Sequence, residues 1–136
     1  MGDRANVVLK QDQGGGRIYL YTHNNGTMLP KTLQDGLIRG QGRWGDCPYL
    51  GRIIFSEMIK NTVMSETGYG IATYVSDNEA GRPLLVVDMK ESRVELESAN
   101  GVDLCSSWSF SEYCAIDFDG YSDPWLALSG CEPDLS

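Results

Sequence analysis

Asn6-Val7-Val8-Leu9-Lys10 reads as a strand, and Gln13-Gly14-Gly15-Gly16 supplies a backbone permissive enough for a reversal. From Arg17 to His23 the chain alternates. Ile18, Leu20 and Thr22 fall on one side of a returning strand and Tyr19, Tyr21 and His23 on the other, because side chains switch faces at every residue. The aliphatic side is the expected core side, and Asn24-Asn25-Gly26 ends the strand. The period then changes to that of a helix. Leu29, Leu33, Leu37 and Ile38 recur at helical spacing, Pro30 suits a first turn, Gly36 weakens the helix and Gly40 stops it. Asp46 reads as the N-cap of a second helix running to about Lys60, with Pro48 in its first turn. Leu50, Ile53, Ile54 and Met58 form its buried stripe, while Tyr49, Arg52 and Glu57 face outward or into a groove.

Tyr69 to Ser76 is rich in β-formers and reads as a third strand, and Asp77 to Pro83 as a loop. Leu84 to Met89 and Arg93 to Glu97 form a hairpin around Lys90-Glu91-Ser92. Its first strand is apolar on both faces and therefore central, whereas Arg93, Glu95 and Glu97 alternate with Val94 and Leu96 in a half-exposed neighbour. Ser109 with Glu112 three residues on is a capping-box pattern that starts a short helix within Ser107 to Ile116. Beyond Asp117 only Trp125 and Leu126 offer anchors. The order β-β-α-α-β-β-β, with a short C-terminal helix, predicts a single α+β domain over residues 1–136. Its architecture is a largely antiparallel five-stranded sheet with two helices on one face, and an acidic segment follows from about residue 100.

Composition changes this picture mainly through charge. The 136 residues carry a formal net charge of −8, unevenly distributed. Through Ser76 there are six acids against eight bases, and from Asp77 onward thirteen acids against three bases, Arg82, Lys90 and Arg93. An acidic half repels phosphate backbones, so direct nucleic-acid binding is not expected, and a protein partner with a basic surface is. No apolar run approaches the ~20 residues of a spanning helix, and nothing after Met1-Gly2-Asp3-Arg4 resembles a leader, so no membrane partner and a cytoplasmic location are expected.

The candidate chemistry is sparse. Cys47, Cys105, Cys114 and Cys131 lack the close pairing of zinc or redox motifs, so free thiols and no metal or other cofactor are expected. Asp117-Phe118-Asp119-Gly120-Tyr121-Ser122-Asp123 fails the calcium-loop pattern at its fifth, sixth and twelfth positions. His23 is the only histidine and shares a strand side with Tyr19 and Tyr21, a row suited to stacking or proton transfer. Arg39-Gly40-Gln41-Gly42-Arg43-Trp44-Gly45 offers two guanidinium forks and a stacking ring on a glycine-rich backbone. The same stretch also suits an ordinary connection between helices.

The opening Met-Gly-Asp-Arg-Ala-Asn-Val, Tyr19-Leu20-Tyr21-Thr22-His23, Tyr49-Leu50-Gly51-Arg52-Ile53-Ile54-Phe55 and Gly68-Tyr69-Gly70-Ile71 resemble a group of small proteins of bacteria and their phages. The resemblance covers roughly the first 90 residues, transfers no catalytic residue and implies a cytosolic setting in a bacterial cell. The leading expectation is a non-enzymatic interaction module, of the kind of a phage inhibitor of a host defence complex. It would act through an acidic, nucleic-acid-mimicking surface of Asp103, Glu112, Asp117, Asp119 and Asp123, with Trp108, Tyr121 and Trp125 as aromatic anchors. The alternative is a small-ligand or nucleotide binder, extending to hydrolase chemistry, that uses Tyr19, Tyr21, His23, Arg39, Arg43 and Trp44. A third reading is homodimerisation through an exposed sheet edge.

Overall fold

The computed structural model describes residues 2–99 and 103–128. Strands β1 (Ala5–Lys10) and β2 (Arg17–Thr22) form the expected hairpin, closed where Gly14 and Gly15 adopt positive φ and Gln11 N–H donates to the Gly16 carbonyl. Helices α1 (Leu29–Arg39) and α2 (Cys47–Ile59) follow, then β3 (Tyr69–Ala72), β4 (Leu84–Asp88), β5 (Arg93–Glu97), β6 (Leu104–Ser109) and the short α3 (Phe110–Cys114). A 3₁₀ turn spans Pro124–Ala127.

The α+β class holds, but the sheet has six strands where five were expected and is mixed: four of its pairings are antiparallel and one is parallel. Six strands lie in the order β3-β2-β1-β4-β5-β6, and the central pair β1 and β4 runs parallel, Val7 beside Leu85 and Leu9 beside Val87. The sixth strand, β6, has the sequence Leu-Cys-Ser-Ser-Trp-Ser, whose small polar residues hide any apolar alternation, and a register shift at Leu96/Glu97 breaks its pairing. The expected third strand is shorter than the sequence suggests, ending at Ala72 and leaving residues 73–83 to carry the chain across β2 and β1.

The helices pack on one face of the sheet. That face gathers Ala5, Val7, Leu9, Leu20, Leu85, Val87, Val94 and Leu96 against Leu33, Leu37, Leu50 and Ile54. Gly36 is less a helix weakener than a contact point: a Cβ there would lie 3.2 Å from the Ile54 Cα, so the two helices approach backbone to backbone. Ile38, assigned to the stripe by spacing, is half exposed, and Glu57, assigned outward, is buried. Glu57 tolerates burial because Arg39 Nε (3.0 Å) and the Lys60 ammonium both donate to its carboxylate. Gln34 of α1 is buried and its Nε2 faces the carbonyls of Tyr113, Cys114 and Ile116, while the Tyr113 hydroxyl donates to the Pro30 carbonyl at 2.7 Å. These bonds staple α3 to α1.

The opposite face has its own buried strip, Val8, Leu84 and Val86, with Tyr19 against it. The loop 73–83 crosses on this side. Asn6, which shares a face with Val8, donates from Nδ2 to the Asp77 carbonyl, Arg4 pairs with Asp77 and Glu79, and Arg82 pairs with Asp3 at 2.8 Å. The opening residues therefore act as clamps on a loop more than seventy positions away. Arg17 of β2 meets Glu97 of β5 through two parallel 3.0 Å bonds. Cys105 is in a disulfide, which corrects the expectation of free thiols throughout; Cys47 and Cys114 are free. Cys131 and the terminal acids Glu132 and Asp134 lie outside the described residues. Among the described residues no helix is long and apolar enough to cross a membrane.

Candidate functional site

Helix α2 sits close over β1: a Cβ on Gly51 would lie 3.1 Å from Leu9 Cδ1. Beyond it the apolar floor continues on the helix side through Ile18 and the buried Leu20 of β2 to the exposed Ile71 of the edge strand β3. Phe55 and Ile59 of α2 form the wall. The result is a groove of about 490 Å³, within the ~300–1,000 Å³ common for small-molecule sites. Ile71 is 61% exposed and Val63, at one end, 64% exposed.

Its polar lining is Gln11, Cys47, Arg52 and Ser56. Cys47 Sγ donates to Gln11 Oε1 at 3.3 Å, and burial raises its thiol pKa, with the neighbouring charges of Asp12 and Asp46 acting the same way. The groove's one thiol is thus held protonated and hydrogen-bonded, the form that reacts least. Ser56 Oγ donates to the Ile53 carbonyl at 2.7 Å. Arg52 is exposed at the rim. Each of Arg4, Arg17, Arg39, Arg82 and Arg93 faces a carboxylate within 4.0 Å, and Arg43 lies 5.2 Å over the Tyr49 ring. Among the described residues Arg52 has neither kind of partner.

Comparison of the chain with protein-family profiles, with curated proteins and with solved structures finds no match. The site has to be read from its own chemistry.

The residues singled out from the sequence fall in three separate places. Tyr19, Tyr21 and His23 lie together on the face away from the helices, the Tyr21 hydroxyl 2.8 Å from His23 Nδ1. Burial and then the charge of Asp77 raise the Tyr21 pKa. Asn6, paired with Tyr21 in register, is fully buried and its Oδ1 has no hydrogen-bond partner. Arg39, Arg43 and Trp44 are instead in the helix layer. Trp44 Nε1 donates to the Leu37 carbonyl and its ring meets Phe110 edge-on, while Arg39 is engaged by Glu57, Ser56 and the Ile53 carbonyl. These two sets do not converge on one ligand.

The acidic set lies around β6 and α3. Glu112 completes the capping box, accepting from Ser109 N–H at 2.7 Å, a bond that lowers its pKa. Asp117 accepts from Asp119 N–H and Asp123 caps Trp125 N–H. Asp103 and Asp119 are exposed. Of the three aromatic anchors, only Tyr121 is largely free, at 46% exposure. Trp108 packs edge-on against the buried Tyr113, and Trp125 donates to the Gly26 carbonyl beneath the Arg82 guanidinium.

The groove escaped the sequence reading, although a signal for it is present. Phe55 and Ile59 extend the apolar surface of α2 beyond the stripe that one packed face requires, and Ile71 adds a third apolar residue at a sheet edge.

Proposed function

We propose that this chain is a non-enzymatic binding module that takes an apolar ligand into the groove between α2 and the β2–β3 edge. One observation carries the reading: a ~490 Å³ groove, floored by Leu20 and Ile71 and walled by Phe55 and Ile59, offers contact area without an acid–base pair. Burying such aliphatic surface contributes about 25 cal/mol per Å². Titration with the neutral fluorophore N-phenyl-1-naphthylamine tests it. The expected result is saturable one-to-one enhancement, weakened severalfold by Ile71→Ser, an edge substitution that leaves the packed core untouched. Enhancement that never saturates, or that is indifferent to Ile71→Ser, overturns the reading.

A second reading rests on a different observation: beyond Arg93 the chain has no base, and Asp103, Glu112, Asp117 and Asp119 are exposed on the segments flanking β6, the strand at one end of the sheet order. On this reading that end docks a basic protein surface, and an inhibitor of a nucleic-acid-handling complex is the form the function takes. Tyr121 is the exposed aromatic anchor. Its test is parallel capture from bacterial extract with wild type and with Asp117, Asp119 and Asp123 changed together to Asn. Asn caps as well as Asp, so the fold is retained. A partner whose recovery falls with the substitutions and with added salt supports the reading. Recovery insensitive to both removes its electrostatic basis.

A further inference from the structure

We infer that the groove's occupant is a free medium-chain aliphatic monocarboxylate, its chain on Leu20, Ile71, Phe55 and Ile59 and its carboxylate on Arg52. This rests on the groove reading above. The floor is leucine and isoleucine, which suits a flexible hydrocarbon, and the volume of about 490 Å³ suits one small molecule. Charge decides the head group. Arg52 is the one guanidinium among the described residues with no carboxylate or ring partner, and it stands at the groove margin. A guanidinium presents a planar fork that matches a carboxylate with two parallel bonds, the geometry that Arg17 and Glu97 already adopt elsewhere in this molecule. A doubly charged phosphate would call for a second cation. The ammonium of Lys60, which caps the end of α2, is committed to Glu57. The carboxylate of Asp46, the N-cap of α2 beside Cys47, disfavours an anion at that end of the groove, which orients the head toward Arg52.

The experiment is displacement of N-phenyl-1-naphthylamine by octanoate, decanoate and dodecanoate below their micellar concentrations, with 1-decanol as the uncharged control. Affinity should rise roughly tenfold for each two added methylenes until the groove is full, at about 0.8 kcal/mol per CH₂. Arg52→Gln should weaken decanoate by about two- to fivefold, the range of an exposed ion pair, and leave decanol unchanged. Ile71→Ser should weaken both. Decanol and decanoate responding alike to Arg52→Gln would overturn the carboxylate assignment while the groove reading stands. An acetylated peptide ending in leucines that displaces the probe better than decanoate would overturn the free-acid assignment in favour of a peptide C-terminus. Failure of every compound to displace the probe would overturn the inference, and failure of the probe itself to saturate would overturn the groove reading beneath it.

Discussion

Glu95 faces outward from β5 on the side away from the helices, among Lys10, Arg17, Asp88 and Glu97. Its neighbours are already committed: Arg17 to Glu97 and Lys10 to Asp88 at 3.5 Å. Burial, followed by the charge of Asp88, therefore raises its pKa. A carboxyl whose folded pKa is raised destabilises the native state once pH climbs past its unfolded value. Glu95→Gln should accordingly raise the thermal midpoint at pH 7 and leave it unchanged near pH 3, as read by calorimetry at the two pH values. Glu57 has the opposite sign. The hydrogen bond from Lys60, and then the one from Arg39, lowers its pKa from the ordinary 4.5, so its contribution is fully present above that value and is lost as pH falls through the folded pKa. The stability gap between wild type and Glu57→Gln, about 1–3 kcal/mol at pH 7 for charged hydrogen bonds, should shrink in urea titrations below pH 4.5. The Arg17–Glu97 pair, 29% and 10% exposed at the side chains, is more sheltered than most ion pairs. Arg17→Ala should cost about 2 kcal/mol, below the ~3–5 of a fully buried pair, and removing both partners should recover much of it.

Polar staples and close backbones hold the elements together. Gln34→Leu would leave the carbonyls of Tyr113, Cys114 and Ile116 without their buried donor. The expected cost is about 2 kcal/mol, with faster proteolytic cleavage within residues 115–128 as the local readout. Gly36→Val would force α1 from α2 and should cost ~1–3 kcal/mol despite better packing area. The hairpins and helix boundaries were legible because their signals are local: three glycines before Arg17, Asp46 before Cys47, Ser109 before Glu112. Strand β6 was not, since serines at an edge carry no amphipathic period. Nor was the parallel pairing of Val8 with Val86, which follows from where 73–83 crosses and not from any neighbouring residue. The groove was half legible. Surplus apolar residues on α2 carry a signal for it that went unused, and its shape depends on Gly51 letting the helix sit over Leu9.

The whole molecule joins a mixed sheet to a one-sided charge distribution, with acids alone beyond Arg93. Its centre is assembled from distant parts of the chain, β1 against β4. A fragment ending at Ser76 would keep β1–β3 and both helices yet leave one side of β1 without its partner. It should form larger species in light scattering than the full chain does. The same arrangement sets an order of events during synthesis. β1 leaves the ribosome before the other strands of this sheet and gains β2 almost at once, but its other neighbour is made only when Leu84–Asp88 emerges. Until then Val7, Val8 and Leu9 present a raw strand border to the crowded cell. A translational pause between Ala72 and Leu84 would prolong that exposure, which makes the codons of residues 73–83 the stretch where elongation speed bears most on the yield of intact protein.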